Sequence, residues 1–124
     1  MSKTDEYLRD LARSSLMLAV TGAGDIVASA GWIRSDDDPD AGRIRKVYVD
    51  PRYARRGLAS HLVGDAEARA RAAGCRRMVV RASAYSVPFY ESLGYVALRS
   101  GTMLAADGVE LPVVFMEKTG GATP

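Results

Sequence analysis

The stretch VYVDPRYARRGLASHLV, residues 47–63, constrains the fold more than any other part of the chain. It joins a strand-like run to a helix-like run through a loop that holds a proline, a glycine and two adjacent arginines. Val47, Tyr48 and Val49 favour an extended backbone, and Pro51 cannot donate to a sheet ladder, so the strand ends there. Beyond the loop, Leu58, Leu62, Ala66, Ala70 and Ala73 recur at helical spacing, joined by Ala59 and Val63. Gly74 supplies the C-terminal stop. The first N–H groups of such a helix have no intrahelical partner, and the macrodipole places partial positive charge beside them. Arg55 and Arg56 add formal charge at the same spot, while Gly57, Ala59 and Ser60 keep the turn open. Phosphate is the anion that best matches a strand–loop–helix site of this kind. The loop holds neither the Gly-Lys-Ser/Thr of a nucleoside-triphosphate loop nor the Gly-x-Gly-x-x-Gly of a dinucleotide site. On residue chemistry alone two readings stand, a bound anion and a solvated basic loop.

The remaining segments build around that unit. Thr4 to Arg13 reads as a short helix with Tyr7, Leu8 and Leu11 in a narrow stripe. SLMLAV and IVASAGWI, separated by TGAGD, read as a β-hairpin. SDDDPDAG is a polar loop. RIRKVYVD alternates Ile44, Lys46 and Tyr48 against Arg43, Arg45, Val47 and Val49. Arg77 to Arg81 is a strand of the buried kind. Val87 to Leu93 reads as a second short helix, with Ser86 as N-cap, Pro88 in the first turn and Gly94 at the end. YVALRSGTML and LPVVFMEK are two final strands around AADG, and residues 119–124 read as a disordered tail. The order helix, strand, strand, strand, helix, strand, helix, strand, strand predicts an α+β fold. Its mixed sheet has parallel pairing near the middle and helices covering it, on both faces in the fold that the family resemblance below implies.

Bulk properties narrow the function classes. A chain of 124 residues suits one domain, here 1–118, and 48% hydrophobic with 26% charged residues is ordinary globular composition. A net charge of +2, with no aromatic-rich RNA motif, argues against a nucleic-acid binder. Cys75 is the single cysteine, which excludes an internal disulfide and any multi-cysteine metal site, and its expected role is a small buried residue. No metal is expected. The acidic N-terminal stretch lacks the pattern of a secretory leader, and no run approaches a membrane span, so the expectation is a soluble cytoplasmic protein.

A family resemblance sharpens the reading. VYVDPRYARRGLASHLV resembles the coenzyme-A loop of the GNAT superfamily of acyl-CoA-dependent N-acyltransferases. Downstream, SVPFYESLGY, residues 86–95, is similar to that family's Ala-x-x-Phe-Tyr-Glu-x-Leu-Gly-Phe/Tyr signature. Both occur in the family's order, separated by one helix and one strand, and the resemblance runs from about Leu16 to Lys118. It implies acetyl-CoA as co-substrate, with the pyrophosphate at Arg55, Arg56, Gly57, Leu58, Ala59 and Ser60. It implies backbone pairing of the pantetheine arm with Val47, Tyr48 and Val49, a thioester pocket lined by Phe89, and Tyr90 as the catalytic residue that protonates the departing thiolate.

The implied reaction is N-acetyl transfer to a small-molecule or peptide primary amine by direct attack, without a covalent enzyme intermediate. The alternative is a non-catalytic acyl-CoA-binding or interaction module with the same fold. The chain also departs from the family pattern. Ala54 stands where Arg or Gln is usual, and Ser83 and Tyr85 occupy the region of a common Asn. RIRK supplies no glutamate base, leaving water or Asp40 to take the amine's proton. The usual strand and helix before Thr4 have no counterpart in this sequence, and the open sheet edge at SLMLAV then predicts a homodimer. His61 falls off the apolar stripe and is expected at the surface. Trp32 is expected in the core or on the sheet, and DDDPD as a solvated loop or a steering patch for a cationic acceptor.

Overall fold

The structure, a computed structural model, describes residues 15–119, and every statement below concerns those residues. The helix read at 4–13 and all but the first residue of the stretch read as a tail lie outside them. Six strands form one sheet: β1 (Ser15–Val20), β2 (Ile26–Arg34), β3 (Ala41–Val49), β4 (Arg77–Ala82), β5 (Val96–Leu104) and β6 (Glu110–Thr119). Two helices interrupt the strands, α1 (Leu58–Ala72) and α2 (Val87–Ser92), and a 3-10 turn covers Pro51–Tyr53. The strand order is β1-β2-β3-β4-β6-β5. Only β3 and β4 pair in parallel, as the crossover through α1 requires, and all other neighbours are antiparallel. The mixed sheet with central parallel pairing is therefore present as expected. Both described helices pack on the same face.

Two irregularities in the middle of the sheet matter for function. The β3–β4 ladder consists of Ala41–Arg77, Gly42–Met78 and Arg43–Val79 only, so the strands part beyond Arg43. At the same place β3 carries an extra residue: Ser29 pairs with Tyr48 but Gly31 pairs with Arg45. Lys46 sits at φ +57, a left-handed conformation that is uncommon for a non-glycine residue. The Ser29 hydroxyl donates to the Lys46 carbonyl at 2.6 Å and pins the bulge. A bulge bends its strand and shifts the phase of its side chains. Ile44 is buried on the helix side, and after the bulge Val47 and Val49 pack against the same core. The alternation read along RIRKVYVD thus breaks at Lys46, and Val47 and Val49 join Ile44 rather than opposing it.

The core lies between this sheet face and the helices. Ala28, Ala30, Ile44, Met78, Val80 and Met116 from the strands meet Leu62, Val63, Ala66 and Ala70 from α1. Small residues on both sides let the helix lie close to the sheet. Cys75 is buried in the same cluster, and Trp32 packs against it. Glu67 is the one buried charged residue in the described part, at 4% exposure, on the edge of the α1 apolar stripe. Its carboxylate accepts from the Tyr95 hydroxyl at 2.7 Å and from Lys118 Nζ at 3.0 Å, with Arg71 one turn along the helix at 3.7 Å. This network ties α1 to β6 and to the residue that leads from α2 into β5. Burial, and then the bond to Glu67, push the Tyr95 phenol above its ordinary range, so it stays a donor. Among the described residues, no helix is long and apolar enough to cross a membrane.

Removing one partner of a buried charged pair leaves the other uncompensated. Glu67→Ala should destabilise the fold by about 3 kcal/mol in urea or thermal unfolding, whereas a surface change such as Glu91→Ala should stay within about 0.5 kcal/mol. Equal stability of Glu67→Ala and the wild type would show that the network contributes nothing.

Candidate active site

The parting of β3 and β4 opens a cleft of about 490 Å3 on the helix side of the sheet. Val47, Tyr48, Val49, Ala59, Phe89 and Tyr90 line it, so residues from both sequence motifs meet at one place. The β3–β4 ladder ends at Arg43, and along Val47–Val49 the edge of β3 that faces β4 has no strand partner, which leaves backbone donors and acceptors for an extended, amide-bearing ligand. Arg45, Lys46, Arg81, Ser83 and Ser86 complete the polar part of the lining. That lining holds no carboxylate and no imidazole.

The loop before α1 stands at the mouth of the cleft, joined to it through Ala59. Asp50 begins the loop: its carboxylate caps the 3-10 turn through the Arg52 N–H at 2.9 Å and pairs with the Arg52 guanidinium at 2.8 Å. That hydrogen bond to Arg52 holds the Asp50 carboxyl below the usual range. Arg52 is committed to Asp50. Arg55 and Arg56 are exposed, and Arg56 lies 5.0 Å over the Tyr53 ring. Arg55 at φ +64 and Gly57 at φ +77 are both left-handed, a backbone alternation that turns successive N–H groups toward one point. Gly57 is the N-cap of α1 and provides no side-chain cap, so the first-turn N–H groups of Leu58, Ala59 and Ser60 are left for an external acceptor. A Cβ at Gly57 would meet nothing within 4 Å; the glycine is required by its φ, not by crowding. Leu58 differs from its neighbours, because its side chain packs against the core.

The second motif places its aromatic residues in a ladder. Phe89 and Tyr90 meet edge to face at 5.0 Å, and Tyr90 meets Tyr95 in the same way at 5.5 Å. Tyr90 is 5% exposed, yet its hydroxyl has no hydrogen-bond partner among the described residues. Burial pushes its phenol up to about 12. Ser86, read as the N-cap of α2, has helical backbone angles and makes no cap bond; its hydroxyl turns back to the Ser83 carbonyl at 3.1 Å.

Other candidates lie elsewhere. His61 is exposed on α1, with Nε2 3.5 Å from Asp65. Asp40 sits where β3 and β4 still pair, and its carbonyl accepts from Arg76 N at 2.7 Å and Arg77 N at 3.1 Å. Neither residue lines the cleft. Arg81 and the Lys46 bulge were not singled out in the sequence; Ser83, read as standing where an Asn is common, lines the cleft, and Tyr85 does not. The adjacent polar pair Arg45–Lys46 inside an apolar strand is the signal that marks the bulge.

Comparison with known proteins gives the family. A family model described as an acetyltransferase (GNAT) domain matches residues 1–119. The chain belongs to the GNAT acetyltransferase family. A glucosamine 6-phosphate N-acetyltransferase of Trypanosoma brucei brucei is 41% identical over 56 residues, covering 45% of this chain and 38% of that protein. The matched part is thus well under half of that relative's length. Among solved structures, a GCN5-related N-acetyltransferase from Rhodopseudomonas palustris superposes with a TM-score of 0.80 at 26% identity, covering 94% of this chain and 68% of the other. A phosphinothricin acetyltransferase from Sinorhizobium meliloti, solved in complex with acetyl-CoA, gives a TM-score of 0.74 at 19% identity over 100% of this chain and 74% of the other. At that identity the likeness concerns the fold of this GNAT domain.

The loop geometry yields a prediction that separates binding from folding. Gly57→Asp places an L side chain at a φ of +77, a strain of about 1 kcal/mol that lowers the melting temperature by a few degrees while the protein stays folded at 25 °C. The new carboxylate would occupy and repel the anion position. Coenzyme-A affinity by calorimetry should fall roughly ten- to hundredfold, the value of one charge-assisted contact of about 1.5–3 kcal/mol. Unchanged affinity would remove the phosphate from this turn.

Proposed function

We propose that this GNAT domain transfers an acetyl group from acetyl-CoA to a primary amine by direct attack. The observation that carries the reading is the parted pair β3–β4. It brings an open strand edge, the unfilled first turn of α1 and the unpartnered Tyr90 hydroxyl to one cleft. In this reading the coenzyme's pyrophosphate rests on the N–H groups of Leu58, Ala59 and Ser60, with Arg55 and Arg56 beside it. Its pantetheine amides pair with the Val47–Val49 edge, and Phe89 walls the thioester end.

The amine must attack as the free base. No carboxylate or imidazole in the cleft takes its proton, but Arg81 and Lys46 line the same space, and nearby cations lower the pKa of an ammonium. As the C–N bond forms, the carbonyl oxygen gains negative charge, and backbone N–H groups on the bulged edge of β3 are placed to receive it. The C–S bond then breaks, the electron pair leaves on sulfur, and the surplus proton of the nitrogen balances the thiolate.

Tyr90 donates a hydrogen bond to the departing sulfur. A phenol near pKa 12 cannot simply give its proton away to a thiolate of pKa ~8.5, because that transfer is uphill by about 5 kcal/mol. Tyr90 therefore begins and ends the cycle protonated, passing a proton only as it receives one.

Tyr90→Phe retains the ring and deletes the hydroxyl. It should lower kcat by ~10²-fold or more, with little change in coenzyme-A affinity or melting temperature. A wild-type kcat would assign Tyr90 to packing alone. The raised pKa also fixes the pH profile. kcat/KM should rise with pH as the acceptor loses its proton and then hold level to about pH 10, where an ordinary tyrosine would be half ionised. A falling limb centred near pH 9–10 in the wild type, absent from Tyr90→Phe, would contradict this account of the phenol.

We also propose that the domain self-associates through a sheet edge. Edge strand β1 exposes Leu18 and Val20, and the opposite edge strand β5 exposes Val96, Leu98 and Leu104. Sedimentation should find a dimer, and a monomer at every concentration would refute it.

A further inference from the structure

A groove of about 650 Å3 runs along the sheet face that carries neither α1 nor α2. Its lining carries six arginines and the carboxylates of Asp36, Asp37, Asp38 and Glu117. Where β3 and β4 still pair, the cations are committed to the protein. Arg77 is paired with Asp38 and lies 3.5 Å from Glu117, while Arg34 donates to the carbonyls of Pro39 and Ala73, each at 2.6 Å. Arg81 stands four residues further along β4, about 13 Å away. It has no hydrogen-bond or ion-pair partner among the described residues.

The strand register sets Arg81 beside Phe115 of β6, and Phe115 beside Arg99 of β5. The Arg99 guanidinium lies 4.3 Å from the centroid of the Phe115 ring. The ring itself is held toward β5 by Gly101, where a Cβ would come within 2.5 Å of ring carbon Cε2. Any larger residue at 101 would displace the ring and the arginine above it. The row Arg81–Phe115–Arg99 is thus a pre-shaped surface. A guanidinium held over a ring keeps N–H groups that the ring does not engage, and these form the fork that matches carboxylate and phosphate oxygens.

Arg81 links this row to the chemistry. With Arg45, it lines the cleft, the groove, and a third pocket of about 310 Å3 that also touches Lys46 and Met103. An amine entering from the groove side reaches the cleft past Arg81.

We propose that the Arg81–Phe115–Arg99 row receives an oxyanion, phosphate or carboxylate, carried by the acceptor, so that the substrate is an anionic primary amine. This rests on the acetyltransferase reading of the cleft. Phe115 supplies the apolar contact for the carbon frame between amine and anion, and Arg99 fixes the far end.

The test pairs amines that differ only in the anion: O-phosphoethanolamine against ethanolamine, and β-alanine against 3-aminopropanol. Binding to the coenzyme-A-saturated protein is measured by calorimetry, and turnover by thiol release. The anionic member of at least one pair should bind tenfold or more tighter, and Arg99→Gln should bring that ratio close to one without altering coenzyme-A affinity. Preference within the phosphate pair alone would identify the anion as phosphate, and within the carboxylate pair alone as carboxylate. Equal binding within both pairs, or a preference that survives Arg99→Gln and Arg81→Gln, would overturn the proposal. Tighter binding of the anionic amine without turnover of any amine would overturn the transferase reading and leave the anion site standing. Turnover of the amines without any preference would do the reverse.

Discussion

Two neighbouring strands that stop pairing half-way are the constraint on which the rest of this structure depends. Parallel strands normally continue their ladder as far as both remain extended, because each unpaired N–H and C=O otherwise needs water or another partner. Here β3 leaves β4 after Arg43, where the bulge at Lys46 adds a residue and the Ser29 hydroxyl fixes it. The open edge of β3 is where the proposed function pairs an amide-bearing chain, and the gap below it becomes a cleft. A fully laddered sheet built from the same residues would have no such space.

The helix side of the sheet converts that gap into a site with polarity. The loop from Asp50 to Gly57 delivers α1 with its first turn uncapped, and left-handed angles at Arg55 and Gly57 turn the backbone N–H groups outward. α1 cannot swing away from this position, because Glu67 binds both Tyr95 and Lys118. The same Tyr95 packs edge to face on Tyr90. The folding network therefore also sets the position of the hydroxyl proposed to act on sulfur. In the proposed reading one end of the cleft receives an anion, and the other is an aromatic wall where hydrogen bonds to developing charge are strong.

The two described helices and the succession of strands along the chain were legible in the sequence because each has a local cause, whereas the place of β6 between β4 and β5 was not read. Apolar spacing marks α1, Pro51 and Gly57 bracket the loop, and Phe89 and Tyr90 lie in a short helix bounded by Ser86 and Gly94. The bulge was not read. It depends on a cross-strand bond from Ser29, seventeen residues away, and alternation alone assigns Val47 and Val49 to the wrong face. Ser86 shows the same limit: its residue type suits a cap, but the nearby Ser83 carbonyl offers a competing acceptor. Arg81, Phe115 and Arg99 come from three strands, and only the sheet register brings them into one row.

The central claim is that coenzyme A lies in the β3–β4 gap with its pyrophosphate on the first turn of α1. Backbone amide shifts followed by NMR during a coenzyme-A titration test it residue by residue. The account predicts that the largest changes fall on Val47–Val49 and on Gly57–Ser60, with Tyr90 following and the β5–β6 hairpin unmoved. Changes concentrated on β5 and β6, with the amides of Leu58, Ala59 and Ser60 unaffected, would contradict it.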